Sequence, residues 1–345
     1  MTNDPLNLDE AGEWADRWWL PDAPDEQVPG VLRYAPEGGL SLSLIGAFAD
    51  RITSNPALGV TAYHEGTRMW DVIHGAAEQR EITLIGCVPK GGKRTLFARV
   101  KSPDKQIVAA MTAIIGAHVS GEEDAAFSAA EVSVEDLGLW ASSFVFRGFL
   151  GAPDGKIDGT GSISVEPVEA QSVVVDETEF RLEHRHTLPF FDERKGGTVG
   201  RTRDATFVRA VSAAPFSVRA AWATASLVQD LIALATNRAA GVIWLRLQVT
   251  GTNGRLAPRH HADVLYSPAA LGQHDDKAAD PNRVLHLCVA PVRGGRAPLV
   301  RGARPAEGGD QHDPGPALRA GQLRREQTPD GGGRCRGAAP RPAHR

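Results

Sequence analysis

The chain has 345 residues, of which 42% are hydrophobic and 23% are charged, values that are ordinary for a globular protein. It carries 38 Lys and Arg and 42 Asp and Glu; residues 291–345 hold 11 of the basic and 5 of the acidic residues, so residues 1–290 have a net charge of −10. An acidic body argues against a general nucleic-acid-binding platform, because neutralised phosphates supply most non-specific affinity.

The cysteines and the apolar segments indicate in which cellular compartment the protein is found. Three cysteines stand far apart at positions 87, 288 and 335, which argues against a disulfide framework and is compatible with a reducing cytoplasm. Residues 1–12 are polar and acidic, unlike a signal peptide, and are predicted to be disordered. The longest apolar run, residues 107–119, is shorter than the roughly 20 residues of a membrane span. We therefore expect a cytoplasmic protein that does not bind membranes.

The end of the chain has an unusual composition. Residues 291–345 contain 11 Arg, 11 Gly, 8 Pro and 8 Ala, and they lack Ile, Phe, Tyr, Trp, Met and Lys. Such a segment cannot bury enough apolar surface to offset its ordering entropy, so residues 290–345 are predicted to be disordered. One interpretation is a natural Arg-rich tail that contacts RNA or anionic surfaces. The preferred hypothesis is a frameshift near residues 286–290, since all four abundant residues have GC-rich codons.

Short strands are predicted in the first half of the chain. Residues 40–44 alternate leucine with serine after a Gly-Gly turn, and residues 31–34 are their predicted hairpin partner. Residues 80–86 predict another strand, followed by a turn at Pro89–Gly92 and a returning strand at Thr95–Val100. Residues 107–119 fit either one long strand or a short helix followed by a strand. Further strands are predicted at residues 131–134, 162–165, 172–175, 178–184, 206–211 and 242–250.

One later segment is helical in its periodicity. Residues 216–237 place Ala220, Ala223, Leu227, Leu231 and Leu234 at helical spacing. Pro215 and Ser217 fit the start of this helix, and Asn237 fits a left-handed C-cap.

Many short strands with one late helix predict a mainly β fold of β-sandwich-like antiparallel sheets, although a barrel also fits. The body, residues 13–289, is either one β domain or two lobes with a boundary near residues 151–161, a Gly-rich stretch.

Three segments carry a family resemblance. They are Trp18-Trp19-Leu20-Pro21 with Val28–Leu32, Gly39–Leu42 and Ile45-Gly46; Val72-Ile73-His74-Gly75 with Ile82–Leu84 and Cys87; and Ile115-Gly116-Ala117-His118 with Phe127, Leu137 and Trp140. In this order they resemble the N-terminal domain of ApeA-type anti-phage defence proteins.

The resemblance implies a two-part protein. In that family a C-terminal HEPN domain dimerises and cleaves RNA through an Arg-x4-6-His motif, while the N-terminal domain senses or regulates during abortive infection. No credible HEPN segment follows Ala290. We therefore interpret the chain as a non-catalytic sensor domain that is truncated before its ribonuclease. The predicted partner is an unidentified phage or host trigger; RNA would be bound only through the missing domain, and no cofactor is expected.

Four residues are candidates for ligand binding. His74 and His118 each stand near a glycine, where a backbone can approach closely, so each is either a ligand contact or a core histidine bonded to the backbone. Trp19 and Trp140, with Trp18 and Trp70 in the same set, would form an aromatic binding platform or pack in the core.

Two further histidines suggest other chemistry. His184 and His186 project from one strand face and are weak candidates for metal ligands, with Asp176 or His260 completing the set. The segment Arg181–His186 also matches the spacing Arg-x4-His, but it lies in a stretch of residues that is typical of a strand. Two alternatives to the sensor therefore stay open, a carbohydrate-like ligand-binding β-sandwich and a metal-dependent enzyme that uses His184 and His186.

Overall fold

The structure is a computed structural model. It describes residues 4–48, 52–55, 60–63, 69–93, 105–142, 145–151, 156, 159–187, 190–251, 260–267 and 284. Thr95–Val100, Cys288, Cys335 and the predicted tail at 290–345 with its frameshift lie outside the described residues.

The strands are β1 (Gly12–Leu20), β2 (Ala23–Ala35), β3 (Gly39–Ile45), β4 (Ile52–Asn55), β5 (Val60–Tyr63), β6 (Trp70–Ala77), β7 (Arg80–Lys93), β8 (Lys105–Ala110), β9 (Thr112–Ile115), β10 (Phe127–Val134), β11 (Phe146–Leu150), β12 (Gly161–Val165), β13 (Gln171–Val175), β14 (Thr178–His186), β15 (Phe190–Arg194), β16 (Gly197–Arg201), β17 (Asp204–Phe216), β18 (Val242–Val249) and β19 (His261–Tyr266). The helices are α1 (Leu137–Ala141) and α2 (Val218–Thr236). The predicted mainly β class with a late helix is confirmed.

Six strands close into a ring. The meanders β1-β2-β3 and β6-β7-β8 are joined where β1 pairs with β6 and where β3 pairs with β8, and all of these pairs are antiparallel. The ring encloses side chains that are fully buried, among them Trp18, Leu32, Leu42, Ile73 and Leu84. Closure leaves the ring without an edge strand. The arrangement is therefore barrel-like, the architecture that the sequence analysis named beside the sandwich.

Strand β7 belongs to two parts of the sheet. Residues 82–85 pair with β9, whereas residues 88–93 pair with β8. β8 and β9 are separated at Met111, whose backbone N–H donates a hydrogen bond to the carbonyl of Ile85. Gly86 lies beside this break with a φ of +66°, and a Cβ atom there would come within 2.8 Å of the Met111 sulfur. Residues 107–119 are thus two short strands and a loop.

Beyond the ring the sheet continues outward. The order from β9 is β19, β18, β10, β17, β14 and β13, which makes a sheet of thirteen strands with the ring. β10 precedes the Gly-rich stretch at 151–161, and its two neighbours, β17 and β18, follow it. Strands from both sides of the predicted lobe boundary therefore share one sheet. Three two-stranded sheets, β4-β5, β11-β12 and β15-β16, stand apart from it.

Helix α2 has the predicted ends but not the predicted buried face. The Ser217 side chain accepts a hydrogen bond from the Ala220 N–H, and Asn237 ends the helix in the left-handed conformation. The residues that pack toward β10, β17 and β18 are Val218, Ala221, Ala225, Val228 and Ile232. Leu227, Leu231 and Leu234 are instead exposed. The buried residues form a second apolar stripe at helical spacing, so the periodicity alone does not decide which face is buried. No helix among the described residues is long and apolar enough to span a membrane.

Two other sequence predictions need correction. Residues 1–12 were expected to be disordered, yet Leu8 is buried, its N–H donates to the Ile243 carbonyl and its own carbonyl accepts the Tyr34 hydroxyl. Burial raises the pKa of Tyr34 to about 12. The turn predicted at Pro89–Gly92 is instead part of β7, where the register shifts between Pro89 and Gly91. A bulge accommodates a proline that cannot donate to the sheet.

The Trp18 indole packs directly on strand backbone. Trp18 pairs with Gly75 across β1 and β6, and a Cβ atom at Gly75 would lie 2.4 Å from the indole ring. On the other side, a Cβ atom at Gly30 would lie 3.1 Å from the same indole and 2.8 Å from Leu44. The two glycines therefore make the space that this buried ring occupies.

We expect Gly75→Ala to destabilise the fold by about 1–3 kcal/mol, because the added methyl group overpacks the core against a rigid ring. The measurement is the free energy of unfolding in urea. Gly148→Ala is the matched control, since Gly148 is exposed in β11 and a Cβ atom there meets nothing within 4 Å. Equal stabilities for Gly75→Ala and wild type would contradict the packing of Trp18.

Candidate functional site

Three of the four predicted binding residues lie together on the outer face of the ring. Trp19 lies directly opposite His74 in the pairing of β1 with β6. Since Trp18 points into the ring, its neighbour Trp19 points outward. His118 follows β9 and completes the group, which we call the Trp-His cluster (Trp19, His74 and His118). All three side chains are half-buried.

The rings of the cluster are in aromatic contact. The imidazoles of His74 and His118 are stacked, with centroids 4.4 Å apart and planes 16° from parallel. The Trp19 indole meets both of them edge-on, with its centroid 5.5 Å from His118 and 6.5 Å from His74. Edge-to-face and offset-stacked contacts are the favoured geometries of aromatic rings.

The two histidines bind each other's backbone neighbours. His74 Nε2 lies 3.0 Å from the carbonyl oxygen of Val119, and His118 Nε2 lies 2.9 Å from that of Gly75. Because a carbonyl oxygen only accepts, both hydrogen bonds require the proton to be on Nε2. In the neutral rings Nδ1 is therefore the acceptor. The structure thus shows both histidines bonded to the backbone, which is one of the two roles that the sequence left open. The other role was ligand contact, and the exposed parts of the two rings can still contact a ligand.

The loop that carries His118 is held in place by side chains of strand β7. Gly116 has a φ of +123°, and a Cβ atom there would lie 2.7 Å from the His261 carbonyl oxygen. The Thr83 hydroxyl donates to the Ala117 carbonyl and accepts the Val119 N–H. The Glu81 carboxylate accepts the His118 N–H. The positive φ and the close approach to His261 explain why position 116 is a glycine. The contacts with Thr83 and Glu81 hold the His118 imidazole over that of His74.

The electrostatics of the cluster favour a neutral His74. Partial burial lowers its pKa from the ordinary 6.5, and the neighbouring His118 lowers it further, while the Val119 hydrogen bond and Glu81 oppose the shift. A neutral His74 imidazole avoids charge repulsion with the ring that is stacked on it. The cluster offers aromatic surface and Nδ1 acceptors to a ligand.

Trp140, the fourth predicted residue, lies elsewhere. It belongs to α1, which packs on β17 and α2, and only 8% of it is exposed. Trp18 is fully buried. Trp70 is only 6% exposed. These three tryptophans are core residues, and the structure does not join them to Trp19 as a platform.

The structure separates the residues of the suggested metal set. His184 Nδ1 lies 3.2 Å from the Thr206 hydroxyl and 3.7 Å from the Asp204 carboxylate. Asp176 precedes the far end of β14, about 20 Å away at the usual rise per residue. His260 is bonded to the Gly116 carbonyl, beyond three intervening strands. No group of three or more metal-binding side chains forms among the described residues.

The Arg181–His186 segment lies on strand β14, and the Arg181 guanidinium pairs with Glu179 in the same strand. HEPN chemistry needs the Arg and the His on a helix, whereas these described residues form a strand.

A row of buried charges crosses the outward sheet, and the sequence analysis missed it. In register across β17, β10, β18 and β19 lie Arg209, Glu131, Arg246 and Asp263. Arg209 and Glu131 are 3.1 Å apart, Arg246 and Asp263 are 2.7 Å apart, and each of the four is at most 7% exposed. Each is flanked in sequence by an apolar residue on both sides, which is the local signal that could have marked it.

Polar residues extend this row. The Gln248 side chain accepts from Arg209, and Arg185 reaches Glu131 at 3.3 Å from β14. His261 lies opposite Gln248, and its buried Nδ1 has no hydrogen-bond partner among the described residues. Burial lowers the pKa of His261, the three arginines lower it further, and Glu131 opposes them. The row fixes strand register, because a slip of one residue would move every charge to the other face.

Comparison with known proteins identifies the family. The model of the family described as ApeA N-terminal domain 1 matches residues 13–285. The chain belongs to this family. No curated protein and no solved structure gave a match. The resemblance inferred from sequence is confirmed, and the match includes all three segments that meet in the Trp-His cluster. Membership indicates the N-terminal domain of an anti-phage defence protein.

The lowered pKa of His74 predicts a pH-dependent stability. Between the folded pKa and the ordinary value of 6.5 the unfolded chain binds more protons, so this contribution to stability is present above 6.5 and is lost as pH falls through that window. Urea unfolding of wild type and His74→Gln as a function of pH measures it. We expect the free energy of unfolding of wild type to fall more steeply with acid than that of the variant. Parallel pH profiles would contradict the assignment.

Proposed function

We propose that this chain is the sensing and regulatory domain of an abortive-infection defence protein, that it acts in the cytoplasm and that it has no catalytic activity of its own. Its trigger is a phage-derived or host molecule that contacts the Trp-His cluster. The observation that carries the proposal is the convergence of Trp19, His74 and His118, from three segments of the family domain, on the outer face of the ring.

The hydrogen bonds of the cluster favour a contact role over acid–base catalysis. Both Nε2 atoms donate to backbone carbonyls, so each imidazole is held in place through the nitrogen that carries its proton. A general base that activates a protein nucleophile lies within hydrogen-bond reach of that nucleophilic side chain. Here the orienting groups are backbone carbonyls, and the neighbouring ring is aromatic. Such a rigid arrangement suits recognition of a ligand by shape and hydrogen bonding.

The effector in this proposal is an RNA-cleaving HEPN domain, and RNA is bound only there. The proposal draws on family membership and on the composition of residues 291–345, with 11 Arg and no Ile, Phe, Tyr, Trp, Met or Lys. In the preferred version this composition reflects a shifted reading frame that begins near residues 286–290. Sensing by the β domain would then release the ribonuclease and halt the infected cell.

Phage plating tests the sensor role. The gene is expressed with its 3′ flank and with the reading frame restored, and plating efficiency is compared for wild type, Trp19→Ala and His118→Gln. We expect both variants to lose protection while the purified proteins keep wild-type melting temperatures and RNA cleavage. Phe190→Ala is the control, an exposed aromatic residue in the separate β15-β16 hairpin. Full protection by both cluster variants would overturn the sensor site, and a flank without a HEPN-encoding frame would overturn the effector.

A further inference from the structure

Helix α2 carries an apolar stripe that faces solvent. Leu227, Leu231 and Leu234 are 61%, 42% and 75% exposed. Ala220 and Ala223, on the same side of the helix, are exposed as well. Apolar side chains gain free energy when they are removed from water, and a contiguous exposed apolar patch marks an interaction surface. We call these five residues the α2 stripe and infer that it is a contact surface.

The α2 stripe is narrow and is well separated from the face that packs on the sheet. At 3.6 residues per turn its five members fall within about 80° of the helix circumference. The buried residues of α2, among them Ala221, Val228 and Ile232, are centred about 135° away. The buried face holds α2 on β10, β17 and β18. The α2 stripe can therefore bind a partner without any change in the fold.

The spacing of the α2 stripe is symmetric about Leu227. Ala223 and Leu231 stand four residues before and after it. Ala220 and Leu234 stand seven residues before and after it. When two copies of this helix pack antiparallel on a two-fold axis at Leu227, Leu231 of each copy meets Ala223 of the other, and Leu234 meets Ala220 in the same way. Each contact sets a large side chain against a small one, which is how packed faces interdigitate.

The charges of α2 favour a second copy over a membrane. Helices that lie in a membrane interface carry many Lys and Arg residues on the polar face. α2 has one basic residue, Arg219, and its guanidinium lies 3.1 Å from the Glu122 carboxylate. Its one acidic residue, Asp230, stands at the margin of the α2 stripe. Antiparallel packing also brings the N-terminus of each helix beside the C-terminus of the other, where opposite ends of the helix macrodipoles meet.

We propose that two copies of this chain form a dimer through their α2 helices, packed antiparallel on a two-fold axis at Leu227. A two-fold contact uses the same patch on both copies and closes after two of them, which fits a stripe that complements itself. The dimer goes beyond the proposed sensor role and does not rest on it, since no residue of the α2 stripe belongs to the Trp-His cluster. It would bring two Trp-His clusters into one assembly.

Sedimentation equilibrium of the purified 345-residue chain tests the dimer. Across a dilution series in the micromolar range, we expect the mass of wild type to change from that of one chain to that of two. Leu231→Lys should weaken dimerisation by roughly thirtyfold or more, the usual effect of losing a central interface contact. Combining Ala223→Glu with Leu231→Lys should restore the dimer, because each introduced lysine then meets an introduced glutamate of the other copy.

Ser226→Lys is the matched control, because Ser226 is exposed on α2 but lies outside the α2 stripe. It should dimerise like wild type, and all variants should keep the wild-type melting temperature because the changed positions are exposed. Leu227→Cys gives a second readout: mild oxidation should link two chains through this position, whereas Ser226→Cys should give no more cross-linking than wild type. Three results would overturn the proposal: a monomer at every concentration, a dimer that Leu231→Lys leaves unchanged, or a double variant that stays monomeric.

Discussion

The close packing of the Trp18 indole on Gly75 is the contact on which the candidate site depends. With no side chain at Gly75, β1 and β6 come together around a buried ring, and Trp18 is thereby committed to the interior. Because neighbouring residues of a strand point to opposite faces, Trp19 and His74 are then committed to the exterior, opposite each other. A larger residue at Gly75 would push Trp18 out and separate the two rings. The two residues of the His74-Gly75 pair therefore act together: Gly75 faces the interior of the ring, and His74 faces its exterior.

Two different kinds of packing support the two parts of the sheet. The ring is filled by large apolar side chains and is closed by pairing on both sides of every strand, so its stability comes from burial and from the absence of free edges. The outward strands have helix α2 over their apolar face and the row of Arg209, Glu131, Arg246 and Asp263 on the other. Buried ion pairs contribute little net stability because desolvation opposes them. Their value here is specificity, since only one register lets the opposite charges meet.

Local signals in the sequence predicted local structure well. The hairpin of residues 31–34 with 40–44 follows from alternation and a glycine turn, and the ends of α2 follow from Ser217 and Asn237. The buried face of α2 was predicted wrongly, because the helix has two apolar stripes and leucine spacing alone does not show which of them meets the sheet. The turn at Pro89–Gly92 was wrong for a related reason: a bulge within a long strand uses the same residues as a turn. Both errors concern what a segment packs against, which its own sequence does not contain.

Part of the candidate site could be predicted from the sequence. His74, His118 and Trp19 were selected one by one from family segments, but their contact depends on β1 pairing with β6 and on the loop after β9, both of them long-range features. Trp140 was selected by the same reasoning and is a core residue of α1. The buried charge row was missed because a charged residue between two apolar neighbours matches no motif. Only the cross-strand register shows that Glu131 and Arg209 are partners.

The tautomers and the contact of the two imidazoles are the most direct test of this account. Long-range proton–nitrogen NMR spectra of histidine-labelled protein near neutral pH report which ring nitrogen carries the proton, and nuclear Overhauser effects report ring contact. The account predicts that both His74 and His118 carry the proton on Nε2 and that a cross-peak connects the two rings. Protonation on Nδ1 in either residue, or the absence of any cross-peak between the rings, would contradict the cluster and the sensor site built on it.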